Sequence, residues 1–406
     1  MKGYYRKRGC KCGGKRCTCD ATWSFTLDIG RDPLTGKRIQ RQVGGFKTKK
    51  EAQAACAAMQ TELIEGTYIA EKEMLFSTLV DEWLKLYETT VKISTVRVRK
   101  HETSRLLDYF QNHQVKNITR KAYQNALLDL YERGFAINTI AGVHSTGRML
   151  FTKAIELEII KNDPTQYAKL PRPQKTVEEI EAEENEVKYL EKHELANLLQ
   201  TAKKKGLTND YVIFLTLAYS GLRVGELCAL KWRDLDFNEL TLSVTKTYYN
   251  PTNRATEYHL LTPKTSTSKR TIELDPVVFK ELEKLKARQN ELKMLHRDVY
   301  FDQDFVFSKT EKDMGYPEFI KTIQNRMRRL LRLAGLNEAL TPHSLRHTHT
   351  SLLAEAGVGI HEIMERLGHQ DDEITKHVYL HVTKTMKKEA AQKFSELMKG
   401  VYKLLS

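Results

Sequence analysis

A proline pair followed by a run of glutamates divides the 406-residue chain into two parts. Pro171 and Pro173 interrupt the helical pattern on both sides of Arg172, because proline lacks a backbone N–H and disfavours helix at the preceding residue. Six glutamates follow between positions 178 and 186. Like-charge repulsion and few apolar anchors favour an extended or exposed segment here. The sequence therefore predicts two lobes joined by a linker over residues 171–187.

The first 50 residues are strongly basic and have the pattern of a small sheet. They contain 14 Lys and Arg against three Asp. Residues 23–29 alternate like a half-buried strand, residues 32–36 have turn chemistry, and residues 38–43 predict the returning strand. From Thr48 the apolar spacing becomes helical. We predict a sheet backed by one helix over residues 1–70, and a basic, partly disordered tail is the alternative.

Residues 75–170 are predicted to be entirely helical. Leu79 and Trp83 belong to one apolar face at helical spacing, and a further helix is predicted over residues 139–154. Basic residues are interleaved with these faces: Lys92, Arg97, Arg99, Lys100, Arg105, Arg120, Lys121 and Arg148. This pattern favours a bundle of four or five helices with one basic side. A solvated face without a ligand is the alternative.

The second part, residues 188–385, mixes helix and strand. A helix is predicted over residues 210–218 and a strand over residues 240–245. Residues 258–261 and 270–274 have the pattern of a strand pair around a polar turn. Helices dominate the rest, so the chain as a whole is predicted to have a mostly helical α+β fold.

The charge balance favours a polyanionic partner. Lys and Arg number 66 against 52 Asp and Glu, which gives a formal net charge of +14. Each phosphate that a basic protein neutralises releases counterions, and this release drives binding. No apolar run approaches the roughly 20 residues that span a bilayer, and the first residues lack the apolar segment of a signal peptide. We therefore expect a cytoplasmic protein with no membrane partner.

The most specific pattern is a set of basic residues near the carboxy terminus. His343 and Arg346 are three residues apart on a helix that the pair 341–342, Thr-Pro, is predicted to open, so they share a face. His369 comes directly after Gly368, a predicted helix end, where its side chain can enter a cleft. These residues indicate an anion site.

Two arginines, Arg223 and Arg346, suit the binding of a phosphodiester. A guanidinium is always protonated and donates in a planar fork that matches phosphate. Negative charge on the non-bridging oxygens grows in the transition state, and positioned positive charge is often the largest catalytic contribution. We predict that the two arginines clamp the reacting phosphate.

Tyr379 is the candidate nucleophile, on a short helical element that Ile374 and Val378 anchor. A phenol with a pKa of about 10 needs help to attack. Neighbouring guanidinium groups favour the phenolate, and His343 can accept the proton. Lys264, in the polar turn between the predicted strands, is placed to protonate the departing sugar oxygen.

Each of these residues also has an ordinary structural interpretation. Arg223 can pair with Glu226 as an i, i+3 helix salt bridge, Tyr379 is one of 18 tyrosines, and Lys264 alone is a loop lysine. Four further histidines are expected to be structural or exposed: His347, His349, His377 and His381. The order and spacing of the set favour the catalytic interpretation.

That order resembles the tyrosine recombinase (phage integrase) family, strongly over residues 185–385 and loosely over the helical part before them. The Gly-Leu-Arg box of the family stands here at 221–223, the His-Ser-Leu-Arg-His box at 343–347 and the Leu-Gly-His box at 367–369. The resemblance implies a catalytic set with one supporting acidic residue: Arg223, Lys264, His343, Arg346, His369 and Tyr379, supported by Glu226.

The resemblance also implies a mechanism and partners. The tyrosine attacks phosphorus to form a 3′-phosphotyrosine and release a 5′-hydroxyl, and the 5′-hydroxyl of a partner duplex reverses the step, with no metal or nucleotide cofactor. Recombinases of this kind work as homotetramers on double-stranded DNA. Excision factors and host DNA-bending factors are further expected partners.

The resemblance assigns a role to each part of the chain. The amino-terminal sheet resembles the arm-site-binding domain of integrases from phages and conjugative transposons of Gram-positive bacteria. Residues 1–70 are then an arm-type DNA-binding domain, residues 75–170 a helical core-site DNA-binding domain and residues 188–385 the catalytic domain. The two lobes on their linker are expected to close around a duplex as a clamp.

Other functions remain open at this point. A type IB topoisomerase uses the same chemistry without joining two sites, and the added arm-type module favours recombination instead. A non-catalytic DNA-binding regulator has no need of the full set of candidate residues. A metal-dependent nuclease is disfavoured because no carboxylate cluster accompanies the histidines.

Four cysteines near the amino terminus form two Cys-x-Cys pairs, Cys10 with Cys12 and Cys17 with Cys19. Four thiolates can bind Zn²⁺ tetrahedrally, although this spacing is tighter than the usual Cys-x2–4-Cys. The alternative is a basic loop with free thiols. The four residues are candidate zinc ligands outside the active site.

Residues 386–406 are predicted to form a separate amphipathic helix. Phe394 lies on an apolar stripe whose members fall at steps of three and four residues. The stripe must be buried on its own subunit or on a neighbour. The family resemblance favours packing on a neighbour in a tetramer.

Overall fold

The computed structural model describes residues 3–10, 19–31, 36–65, 68, 73–174, 176, 178, 189–263, 268–368, 375–376 and 378–380. The chain forms two compact units, Met1–Gln174 and Lys175–Ser406. Most of the predicted linker, residues 171–187, lies outside the described residues. No helix among the described residues is long and apolar enough to cross a membrane.

A small antiparallel sheet and one helix form the amino-terminal part of the first unit. The strands β1 (Tyr4–Lys7), β2 (Trp23–Arg31) and β3 (Arg38–Phe46) lie in that order, and α1 (Lys49–Ile64) covers them. The alternation in β2 buries its apolar residues against α1, so the predicted sheet and helix are confirmed. The predicted turn over residues 32–36 lies almost wholly outside the described residues.

Four helices form the rest of the first unit: α2 (Phe76–Tyr87), α3 (Ile93–Phe110), α4 (Arg120–Glu132) and α5 (Ile137–Glu156). Their apolar faces meet in one core, in which Phe76 packs against Phe110 and Phe151. The helical prediction is confirmed as far as Glu156, whereas residues 157–170 form turns and irregular structure instead of helix.

Arg99 was predicted to belong to the basic surface of the bundle, and this was wrong. Its guanidinium Nη1 donates to Glu102 Oε2 at 2.6 Å and to Thr146 Oγ1 at 2.9 Å. The first bond lies within α3, and the second joins α3 to α5. Gly142 makes room for the pair, because a Cβ there would lie 2.3 Å from Glu102 Oε1. Helical spacing shows which residues share a face, but it does not show which face meets the neighbouring helix.

The second unit has seven helices with defined bounds among the described residues, of which the first six contribute to one large core and the last packs in a separate cluster. They are α6 (Lys192–Lys205), α7 (Asp210–Ser220), α8 (Val224–Cys228), α9 (Pro276–Leu295), α10 (Ile320–Ala334), α11 (Pro342–Glu355) and α12 (Ile360–Leu367). The central helix is α7, whose residues 212–218 are all buried. The predicted range of this helix, residues 210–218, is close to the observed range, Asp210–Ser220.

The strands of the second unit pair differently from the prediction. They are β4 (Leu235–Asp236), β5 (Thr241–Val244), β6 (Thr247–Tyr249), β7 (His259–Leu261) and β8 (Arg270–Glu273). The sheet orders are β4-β5-β8 and β6-β7, so β7 and β8 do not pair with each other. Leu242 lies opposite Ile272 across β5 and β8, and both are buried. Burial of these side chains selects the partner strand, and alternation along one strand cannot reveal that choice.

Candidate active site

The helix α11 carries the His-x-x-Arg pair and begins as its first residues predict. The backbone N–H of Thr341 donates to Ser344 Oγ at 3.1 Å, and Pro342 occupies the first turn, where its missing N–H costs nothing. His343 is exposed, and its ring meets the ring of His347 edge-on at 4.7 Å. Arg346, one turn later, is only 2% exposed.

The buried guanidinium of Arg346 connects three motifs that are far apart in the sequence. Its Nη1 donates to the carbonyl oxygen of Gly221 at 2.7 Å, and its Nη2 donates to the carbonyl oxygen of Leu367 at 2.5 Å. Gly221 precedes Arg223 by two residues, and Leu367 precedes His369 by two residues. One side chain therefore fixes the backbone next to both motifs.

Gly221 ends α7 in a conformation that favours glycine. Its φ is +63°, in the left-handed region, and a Cβ on it would lie 2.8 Å from His349 Cδ2 and 2.8 Å from Leu367 Cδ2. The close approach of these neighbours allows the Gly221 carbonyl to reach Arg346. Glycine is thus required for packing here as well as for the turn.

Glu226 holds two arginines next to this loop. Arg223 donates its backbone N–H to Oε2 at 3.0 Å and its Nη1 to Oε1 at 3.0 Å, and Arg270 Nη2 also donates to Oε2, at 2.9 Å. Burial acts to raise the pKa of Glu226, but the hydrogen bond and charge of Arg270 and the charge of Arg223 outweigh it and lower the pKa below its usual value. The salt bridge that was the structural interpretation of Arg223 is therefore present.

The Arg223–Glu226 pair does not remove Arg223 from the surface. The side chain of Arg223 remains 39% exposed, whereas that of Glu226 is 5% exposed. The buried carboxylate of Glu226 orients the guanidinium of Arg223 and leaves it accessible to solvent. The arrangement is thus compatible with binding of an anionic ligand.

Tyr379 lies on a short helical segment against α11 and α12. Residues 375–376 and 378–380 are helical, and Thr375 and Val378 are buried. The half-buried ring of Tyr379 packs on the apolar cluster of Ala354, Ile363 and Leu367. Leu367 is thus a member of the cluster on which Tyr379 packs, and its carbonyl oxygen also accepts from Arg346.

Lys264 and His369 lie outside the described residues, and their roles stay predictions. Their described neighbours, however, lie against each other. A Cβ on Gly368 would be 3.1 Å from Ser268 Cα and 3.2 Å from Arg270 Nη1. Gly368 immediately precedes His369, and Ser268 follows Lys264 by four residues.

Two contributors to the site, Arg270 and Arg366, were missed in the sequence analysis. Arg270 bridges Glu226 and the backbone oxygen of Arg366, and Arg366 donates from Nε to His349 Nε2 at 3.1 Å. An arginine in a strand and an arginine on a helix carry no distinctive sequence signal. Only the approach of β8 to α12 gives them partners.

The cysteine prediction is not tested. Cys10 and Cys19 are partly buried and lie in the connection between β1 and β2, while Cys12 and Cys17 lie outside the described residues. Across the described part of the chain, no group of three or more His, Cys, Asp or Glu residues could hold a metal ion.

Three family models match the chain in the order of its parts. Residues 14–63 match an arm DNA-binding domain, residues 75–131 match a phage integrase N-terminal SAM-like domain, and residues 188–386 match the phage integrase family. The third match contains every residue of the candidate site.

Similar proteins include integrases of phages and transposons. The chain is 29% identical over 347 residues to the integrase of Staphylococcus phage L54a, which covers 80% of this chain and 94% of that one. The Tn1549 transposon integrase, solved with transposon right end DNA, has a TM-score of 0.61 at 20% identity and covers 78% of this chain and 100% of that chain. A lambda integrase tetramer bound to a Holliday junction has a TM-score of 0.54 at 17% identity, covering 87% and 91%.

Proposed function

Because the chain belongs to the tyrosine recombinase (phage integrase) family, a family of DNA strand-cleaving and strand-joining enzymes, we propose that Tyr379 is its nucleophile and that Arg346 organises its active site. The observation that carries the proposal is the pair of hydrogen bonds from Arg346 to Gly221 and Leu367. They connect the loop of Arg223 to the helix end before His369, and the ring of Tyr379 packs on the apolar cluster that contains Leu367.

The arginines bind and stabilise the phosphate. Arg223 and Arg346 donate to the non-bridging oxygens of the scissile phosphodiester, and Glu226 orients Arg223. A guanidinium fork matches two phosphate oxygens at once, and fixed positive charge is worth most where charge grows in the transition state. His343 and His369 complete the set, with His343 accepting the phenolic proton.

Each step of the reaction breaks one ester bond to phosphorus and forms another. The Tyr379 oxygen forms a bond to phosphorus, the bond from phosphorus to the 5′ oxygen breaks, and Lys264 gives that oxygen a proton. The products are a 3′-phosphotyrosine and a 5′-hydroxyl. Attack by the 5′-hydroxyl of a second duplex reverses the step and returns the tyrosine, so the exchange needs no external energy source.

Different parts of the chain bind different DNA sites in this proposal. We assign arm-site binding to residues 1–70, core-site binding to residues 75–170, a tether to residues 171–187 and catalysis to residues 188–385. The basic amino terminus, with 14 Lys and Arg among 50 residues, supports the arm-site assignment. A reaction on the DNA of a bacterial host also requires a cytoplasmic location.

Recombination between two duplexes requires more than one subunit. The lambda integrase tetramer on a Holliday junction supports a tetramer as the working form. We assign residues 386–406 to packing on a neighbouring subunit, which couples assembly to the placement of Tyr379. Excision factors and host DNA-bending factors would then select the direction of the reaction.

A trapping assay on attachment-site DNA tests this function. The wild-type protein is incubated with a duplex that carries a nick near the cleavage site, so that a short 5′-hydroxyl strand diffuses away. A denaturant-resistant protein–DNA adduct and joining of two marked duplexes are expected. Relaxation of supercoiled DNA without joining of two sites would indicate a topoisomerase-like enzyme, and binding without any adduct would indicate a regulator.

A further inference from the structure

The ends of α7 and α12 meet at a buried histidine and an arginine that the proposed mechanism does not use. We infer that His349 and Arg366 are positioning residues that hold the backbone oxygens of Gly221 and Leu367 in place for Arg346. The inference rests on the proposed function, because it concerns the same active site.

The hydrogen bonds of His349 fix which ring nitrogen carries the proton. The ring is 7% exposed, and Nδ1 lies 2.9 Å from the carbonyl oxygen of Ala218, an acceptor. Nδ1 must therefore donate. Nε2 lies 3.1 Å from Nε of Arg366, which has a hydrogen to donate, so Nε2 accepts. Burial next to Arg366 lowers the pKa of His349 to about 4, which agrees with this neutral form.

Arg366 joins two further segments, α7 and β8, at the same place. Its Nη2 donates to the carbonyl oxygen of Glu273 at 2.8 Å and to that of Tyr219 at 3.4 Å. Its own carbonyl oxygen accepts from Arg270 Nε at 2.8 Å. The end of α12 is thus attached to the end of α7, to β8 and, through His349, to α11.

The two acceptors of Arg346 lie on the segments that His349 and Arg366 connect. Gly221 is three residues after Ala218, and Leu367 is the residue after Arg366. The ring of His349 also packs at Gly221, where a Cβ would lie 2.8 Å from Cδ2. The Ala218–His349–Arg366 connection therefore links the same two helix ends as the bonds of Arg346.

This connection matters because a guanidinium held by two carbonyls follows them when they move. Loss of the connection would let the end of α12 shift relative to the end of α7 and rotate Arg346. A misplacement of about 1 Å can reduce the rate of a reaction about 100-fold. The same shift would displace the backbone that leads into His369.

Three substitutions of His349 separate its two hydrogen bonds. His349→Phe keeps a ring and removes both bonds. His349→Gln carries an amide at the position of Nε2 and can accept from Arg366, whereas His349→Asn carries it at the position of Nδ1 and can donate to Ala218. Val278→Ala serves as the matched control, because Val278 is fully buried in the same core on α9 and lies outside this junction.

The measurements are DNA affinity, the single-turnover rate of adduct formation and the melting temperature. We expect His349→Phe to keep the affinity of the wild type and to lower the cleavage rate by about 10- to 100-fold. His349→Gln should recover most of the rate and His349→Asn much less. Val278→Ala should lower the melting temperature and leave the rate unchanged.

A double-mutant cycle tests whether His349 acts through Arg366. The double variant His349→Phe, Arg366→Met should lose no more cleavage rate than the more impaired single variant, because both substitutions remove the same hydrogen bond. Additive losses, recovery by Asn instead of Gln, or a rate loss in Val278→Ala matching that of His349→Phe would overturn the inference. Absence of any adduct with the wild-type protein would instead refute the proposed function.

Discussion

The guanidinium of Arg346 donates a hydrogen bond to the carbonyl oxygen of Gly221, 125 residues earlier in the chain, at 2.7 Å. This bond places the His-x-x-Arg helix against the loop that leads to Arg223. It also means that a residue proposed to bind the phosphate is held by backbone oxygens, which cannot change their charge. The guanidinium is therefore oriented before DNA binds.

Replacing Tyr379 by Phe should abolish the covalent adduct and leave DNA affinity nearly unchanged. Only one oxygen is lost, and the ring can still pack on Ala354, Ile363 and Leu367. The measurement is a denaturing gel after incubation with labelled attachment-site DNA, beside a binding assay. If the Phe variant still forms an adduct, another residue is the nucleophile, and Tyr402 should be tested first.

Replacing Lys264 by Ala should strongly slow cleavage of ordinary duplex DNA. A substrate with sulfur in place of the scissile 5′ oxygen should restore much of the rate, because a thiolate leaves without a proton donor. Single-turnover cleavage of the two substrates gives the comparison. Equal impairment on both would mean that Lys264 only positions the phosphate.

Removing residues 1–70 should preserve cleavage at the core site and abolish binding to distant arm sites. The first 50 residues carry a surplus of 11 positive charges (14 minus 3). Their loss should also make DNA binding less dependent on salt, because fewer counterions are released. Arm-site affinity that survives the truncation would contradict the assignment.

Replacing Gly221 by Ala should destabilise the protein and inactivate it, whereas Gly335→Ala should cost only modest stability. Both glycines have left-handed backbones, with φ of +63° and +67°. That conformation costs an alanine about 1–2 kcal/mol at either position. A Cβ meets nothing within 4 Å at Gly335 but lies 2.8 Å from His349 and Leu367 at Gly221.

Thermal unfolding and single-turnover cleavage distinguish the two glycine variants. The expected result is a larger loss of stability in Gly221→Ala and normal cleavage in Gly335→Ala. Equal effects would show that only the backbone conformation matters at Gly221.

Replacing Phe394 by Asp, or ending the chain after Thr385, should leave binding of one subunit to one site intact and disrupt the tetramer. A charge on the apolar stripe opposes its burial on a neighbouring subunit. Sedimentation with attachment-site DNA and a strand-cleavage assay measure the two effects. Normal tetramers with normal cleavage would mean that the stripe is buried within its own subunit.

Much of the local structure follows from the sequence. Alternation in residues 23–29 predicted β2, and the apolar spacing after Thr48 predicted α1. The Thr-Pro pair at 341–342 and Gly368 predicted where α11 begins and where α12 ends. These signals are local, since a turn, a cap or an amphipathic face depends on a few neighbouring residues.

The sequence alone could not determine which segments meet. Strand β7 was predicted to pair with β8, but β8 pairs with β5, where burial of Ile272 against Leu242 decides the register. Arg99 has the sequence signature of a surface residue, but its guanidinium, paired with Glu102 on the same helix, also donates to Thr146 on α5. In both cases the energy depends on partners distant in the sequence.

The candidate site shows the same division. The order of the motifs was enough to predict Arg223, His343, Arg346 and Tyr379 as a set, because each residue type suits phosphate chemistry. Only the tertiary structure decided that Arg346 is held by the carbonyl oxygens of Gly221 and Leu367, and that His349 and Arg366 connect the same segments. Backbone oxygens are the same in every residue, so no sequence pattern records which of them a buried guanidinium will reach.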